Sequence, residues 1–206
     1  MTDYSGLPIP PTARPFRENQ LFRGDTNRWH TNACVGWNGG PYDFFAYAEG
    51  YFLGAELLIE RIHQTVSNVD VLVYPICFGF RHAIELSVKG IADALARLQK
   101  DGNGYELGHA LIENWRFVKA HAEALTDLFD PADIRLIDET IRLVCDVDPN
   151  GQIFRYPEST RRKMHLEDRS LINLSLLGER ILAVHEVFKT WDAQVAVALE
   201  YHRERY

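Results

Sequence analysis

Between residues 42 and 64 the apolar positions Phe45, Ala48, Phe52, Ala55, Leu58, Ile59 and Ile62 recur every three or four residues. That is the spacing of one buried helical face, so the pattern predicts a first helix over about 42–64. Ser67 to Asp70 interrupts it with helix-capping residue types. A second helix follows over about 71–98. Its first half is apolar on every face, which places it at the centre of a fold, and Pro75 either kinks it or marks its first turn. The Gly-containing run 101–104 stops it. A third helix is predicted over about 109–125. A fourth opens at Asp130-Pro131, a start signal of cap plus first-turn proline, and ends near Cys145. Residues 147–170 are polar and irregular. A last helix runs from about 171 to 202, with Leu174, Leu177, Ile181, Val184 and Phe188 on one face. No segment alternates in the manner of a strand. The expectation is an all-α bundle of about five helices over 41–206.

Residues 1–40 show no such period. Pro8, Pro10, Pro11 and Pro15 punctuate the start, Gly36, Gly39 and Gly40 the end, with Phe16, Phe22, Trp29 and Trp37 between. So many aromatics predict an irregular arm packed on the bundle rather than a free tail. The longest apolar run, Val71 to Phe80, is about half the length a membrane span needs. The start of the chain has neither a basic nor an apolar leader region. The three cysteines are widely separated and form no CxxC pair, so neither a disulfide framework nor a zinc knuckle is expected. Together these point to a cytoplasmic protein with no membrane association.

The net charge of −7 argues against a broad nucleic-acid surface, which needs clustered cations, but leaves room for a local basic site. Arginines far outnumber lysines, a bias that suits bidentate recognition of phosphate or carboxylate and equally a coding bias. Arg81, Glu85 and Lys89 stand four apart just after the most apolar stretch. They form either an exposed i,i+4 ladder or a polar seam lining a cleft between helices, with His82 beside it. His109 sits near a helix start, where the macrodipole favours a neutral imidazole. Phe154 and Tyr156 flank Arg155, an arrangement that suits base stacking or an anion contact, or a loop pinned by two aromatic anchors. Arg161, Arg162, Lys163, His165 and Arg169 follow, diluted by Glu158, Glu167 and Asp168. Glu60-x-x-His63 and the reversed His82-x-x-Glu85 lack the second matched pair that a helical di-iron site requires, so no metal and no cofactor are expected.

The set FRHAIELSVKGI at 80–91, GHALIENW at 108–115 and FRYP at 154–157 resembles the HEPN superfamily of helical domains, across roughly 42–190. The resemblance implies a HEPN-like bundle, a homodimer, and RNA or nucleotide chemistry, often in toxin–antitoxin or phage-defence systems, with a cognate protein as a further partner. Active members are metal-independent endoribonucleases that use an arginine followed after four to six residues by a histidine. Arg180 to His185 is the match whose position late in the chain fits best. Arg23 to His30 and Arg116 to His121 also match the spacing. On this reading Arg81 and Arg155 hold phosphate, His82 or His109 transfers protons, Glu85 orients the seam, and Lys89 and Tyr156 complete the binding surface. A non-catalytic HEPN-like module using the same residues to bind RNA, nucleotide or partner is the alternative, and an unrelated helical metalloprotein a second.

Overall fold

The computed structural model describes residues 20–36, 43–98, 108 and 110–205. The chain divides into two units, 1–42 and 43–206. Within the first, Asp25 organises a turn: its Oδ1 accepts from the backbone N–H of Asn27 at 2.8 Å and Arg28 at 3.0 Å. The Asn32 amide brackets the Asp25 backbone, and a single 3-10 turn spans Trp29–Thr31. Phe16, Trp37 and the prolines before residue 20 lie outside the described residues.

The second unit is all-helical: α1 Phe44–Thr65, α2 Val69–Leu98, α3 Leu111–Ala124, α4 Pro131–Val147 and α5 Leu174–Arg205. Among the described residues there is no strand, only one bridge between Glu158 and Met164. The starts follow from side chains that accept the orphan N–H groups of a first turn. Asp43 accepts from Ala46 at 2.7 Å, Asp130 from Ala132 at 2.6 Å, and Asn173 from Ser175 at 3.0 Å and Leu176 at 3.1 Å. The start of α3 is braced from within the helix. The Asn114 side chain, fully buried, pairs both ways with the Gly108 backbone. The predicted stop at 101–104 falls outside the described residues.

Two details of α2 depart from expectation. It starts at Val69 and runs through Pro75. Proline therefore stands in the second turn, where it removes the donor that would meet the Val71 carbonyl. Both residues are exposed, so water can take that carbonyl. The second difference is where the helix is central. Val71 and Tyr74 in its first half are exposed, whereas from Ile76 to Leu95 most positions are buried. The reason is packing: α1, α3 and α5 all pack against α2, and α4 reaches the bundle through α3 and α5. The core joins Phe52, Ile59, Ile84, Ile91, Trp115, Phe129, Ile137, Ile181, Phe188 and Trp191. By length and composition α2 could cross a membrane, but half of its most apolar window is buried inside the fold. It reads as the core helix of a globular bundle.

Candidate functional site

The polar seam of α2 is internal. Arg81 is 3% exposed, and a buried guanidinium must have its donors met. Its Nη1 donates to Glu85 Oε2 at 2.8 Å, its Nε to the Asp148 carbonyl at 3.0 Å, and its Nη2 to the Pro149 carbonyl at 3.5 Å. Lys89 Nζ donates to the other Glu85 oxygen at 2.9 Å. Burial alone would raise the Glu85 pKa. The hydrogen bonds from His82, Lys89 and Arg81, with the Lys89 charge, outweigh it and hold the carboxyl well below the usual range.

The far end of this network fixes the loop after α4. Asp148 is fully buried. Its Oδ1 accepts from Gln152 N–H at 2.8 Å and Ile153 N–H at 3.1 Å. Gly151 completes the fit. It has φ of +74°, and a Cβ built there would stand 3.1 Å from Arg81 Nη1. Only glycine combines that conformation with that approach. Arg81 is therefore a peg that holds the loop against α2, and its donors face protein rather than solvent.

What the peg positions is the exposed part of the site. Arg155 lies over two rings, its Cζ 5.6 Å from the Phe78 centroid and 5.4 Å from that of Tyr156. Phe78 stacks on His82 at 5.7 Å with an interplanar angle of 9°. The His82 ring in turn meets Tyr51 edge-on at 4.6 Å. A row of planar groups, Tyr156, Arg155, Phe78, His82 and Tyr51, thus runs from the loop across α2 to α1. Arg155 and Tyr156 are exposed and the His82 side chain is about a third exposed, at 31%. His82 Nδ1 lies 3.9 Å from Glu85 Oε2, so the seam also stands behind the histidine.

The remaining sequence-predicted residues lie elsewhere. Arg180 and His185 diverge, as residues five apart on a helix must, being about 140° apart around the axis. Arg180 donates to Glu139 at 2.9 Å and Thr140 at 3.3 Å on α4. His185 is buried against α1, stacked on Phe52, with Nδ1 2.6 Å from Glu56 and Nε2 2.6 Å from Glu49. Arg116 pairs with Glu113, while His121 turns to the Phe117 carbonyl. His109 lies outside the described residues. Arg161, Arg162 and Lys163 are exposed, and Arg169 pairs with Asp146 at 2.9 Å. His63 meets Ser175 rather than a second acidic pair. Among the described residues no three His, Cys, Asp or Glu side chains are gathered as a metal would need.

Phe78, Tyr51 and the loop-fixing pair Asp148 and Gly151 carry no motif of their own. The one available signal was the alternation of aromatics with Arg155 and the turn residues 148–151. No family model matches this chain, and neither a curated protein nor a solved structure resembles it closely enough to indicate kinship.

Proposed function

We propose that this chain is a HEPN-like cytoplasmic module that binds single-stranded RNA or a nucleotide across the Tyr156–Arg155–Phe78–His82 row. The observation that carries the reading is the exposed Arg155 guanidinium lying over Phe78 and beside Tyr156. Such a surface offers a base a planar partner and a phosphate a cation. Stacking of this kind contributes about 1–3 kcal/mol per base in single-strand binders. The enclosure of Arg81 favours a binding role over one in which the α2 seam itself handles phosphate. The exposed Arg161, Arg162 and Lys163 follow in the same loop.

One observation favours a second reading, a metal-independent endoribonuclease of a defence or toxin–antitoxin pair. His82 is partly exposed with its Nδ1 toward the Glu85 carboxylate, so it could accept a proton from an attacking hydroxyl while Arg155 holds charge on the phosphate. Titrating a fluorescent single-stranded RNA of about ten nucleotides, in EDTA, tests both. Binding weakened at least tenfold by Arg155→Ala and by Tyr156→Ala supports the module. Cleavage abolished by His82→Ala in a folded protein supports the enzyme. Neither binding nor cleavage by the wild type defeats both readings.

A further inference from the structure

Between α3 and α4 lies a cavity of about 350 Å³ that shares no residue with the aromatic row. That is the lower end of the range for small-molecule sites. Lys119 and Glu123 of α3 line it, one turn apart, as do Ile134 and Asp138 of α4 with Arg135 beside them. Asp138 is its fixed point. Its Oδ1 accepts from Trp115 Nε1 at 2.8 Å, and its Oδ2 lies 2.8 Å from Arg142 Nη2 and 3.1 Å from Lys119 Nζ. With both oxygens engaged, Asp138 has little left for a ligand, and its role is to hold Lys119. That ammonium carries three donors and spends one on Asp138. Glu123 stands 3.8 Å from it, beyond hydrogen-bond reach, with its side chain 56% exposed. On α4 the exposed Arg135 side chain has no partner among the described residues, and Glu139, one turn on, is engaged by Arg180 at 2.9 Å. The cavity therefore holds two cations with unspent donors, one from each helix, and one loosely held carboxylate.

We infer that this cavity binds a small oxyanion, a metabolite bearing a carboxylate or a phosphate monoester, between Lys119 and Arg135, and that the ligand displaces Glu123 from Lys119. The planar fork of Arg135 suits two oxygens of one head group, and Lys119 adds a point charge. An exposed ion pair such as Lys119–Glu123 contributes little, so an incoming anion takes the carboxylate's place with little loss. The buried Ile134 side chain gives the remainder of the ligand an apolar contact.

The Trp115 indole N–H, which donates to Asp138 beside the cavity, is a local reporter. Its nuclear magnetic resonance signal is followed while the full chain is titrated with succinate in one arm and inorganic phosphate in the other. The expected result is a saturable shift, and the arm that saturates at the lower concentration identifies the head group. Arg135→Gln should weaken binding about tenfold or more and leave the melting temperature unchanged, because that side chain supports nothing else. Glu123→Gln should tighten binding about two- to fivefold by removing the competing carboxylate, the opposite of what loss of a polar contact to the ligand would do. Arg155→Ala should change nothing, which separates this cavity from the aromatic row. Saturation by neither probe up to about 10 mM overturns the inference. So does binding that Arg135→Gln leaves intact, that Glu123→Gln fails to tighten, or that Arg155→Ala abolishes.

Discussion

Arg81 carries more of the architecture than its place beside a candidate site suggests, since one guanidinium closes the contact between α2 and the loop after α4. Gly151→Ala should therefore destabilise the protein by about 2 kcal/mol, because the new Cβ meets both a positive φ and the guanidinium. Urea unfolding measures it, and a loss under about 0.5 kcal/mol would show that the peg is slack. Glu85 gives a pH prediction with a definite sign. Its folded pKa lies below its ordinary value of 4.5. The unfolded chain therefore takes up the proton first as pH falls, and stability present above about pH 5 is lost through the acid range. Glu85→Gln should remove that acid-dependent portion, and should cost about 3 kcal/mol at neutral pH by taking from Lys89 its carboxylate and from Arg81 one of two, the Asp148 side remaining. Cys77 has its thiol pushed up to about 12 by burial, so it should resist alkylation at pH 8 until the protein unfolds. The i,i+4 pairing of Glu85 with Arg81 and Lys89 was legible in the spacing, but the loop partners of Arg81 were not. Arg81 and Asp148 are 67 residues apart, and a single sequence does not pair distant residues.

At the scale of elements the chain was far more legible, for a physical reason. Helix starts are local events, and Asp130-Pro131 fixed α4 to the residue because cap and proline lie within one turn of the N–H groups they serve. Two other helix starts were read a few residues off. The last helix begins at Leu174 rather than about 171 because Asn173 takes the cap, and α2 starts before Ser67–Asp70 ends. The join between α1 and α5 was invisible too, since Glu49 and Glu56 are 136 and 129 residues from His185. Yet it is specific. Each ring nitrogen faces one carboxylate, so the contacts need two protons on the ring or one on a carboxyl. His185→Leu should keep apolar packing against Phe52 while leaving the half-buried Glu56 without its partner and freeing the more exposed Glu49 to water, and should lower stability by about 1–3 kcal/mol. A cycle with Glu56→Gln separates the pair from simple loss of packing, and additive losses would show that the two groups do not couple.

For the whole molecule the charge balance decides what kind of nucleic-acid contact is tenable. At −7 overall, long-range attraction to a polyanion is unfavourable, and binding must come from a few local cations and from stacking. The candidate row offers Arg155, with Arg161, Arg162 and Lys163 further along the loop. That is about two to four phosphate contacts. For single strands, affinity falls with salt at a slope of about −0.7 per phosphate contacted, so log affinity against log salt should have a slope of about −1.5 to −3. A protein that bound RNA through a broad basic face would show about −5 or steeper. The row makes a finer prediction within that range. Arg155→Ala removes a cation and should make the slope shallower by about 0.7. Tyr156→Phe keeps the ring and should leave both slope and affinity nearly unchanged, whereas Tyr156→Ala should lower affinity at every salt concentration without altering the slope. If Arg155→Ala and Tyr156→Ala instead shift the curves identically, the row is not dividing charge from stacking, and the RNA lies elsewhere on the bundle.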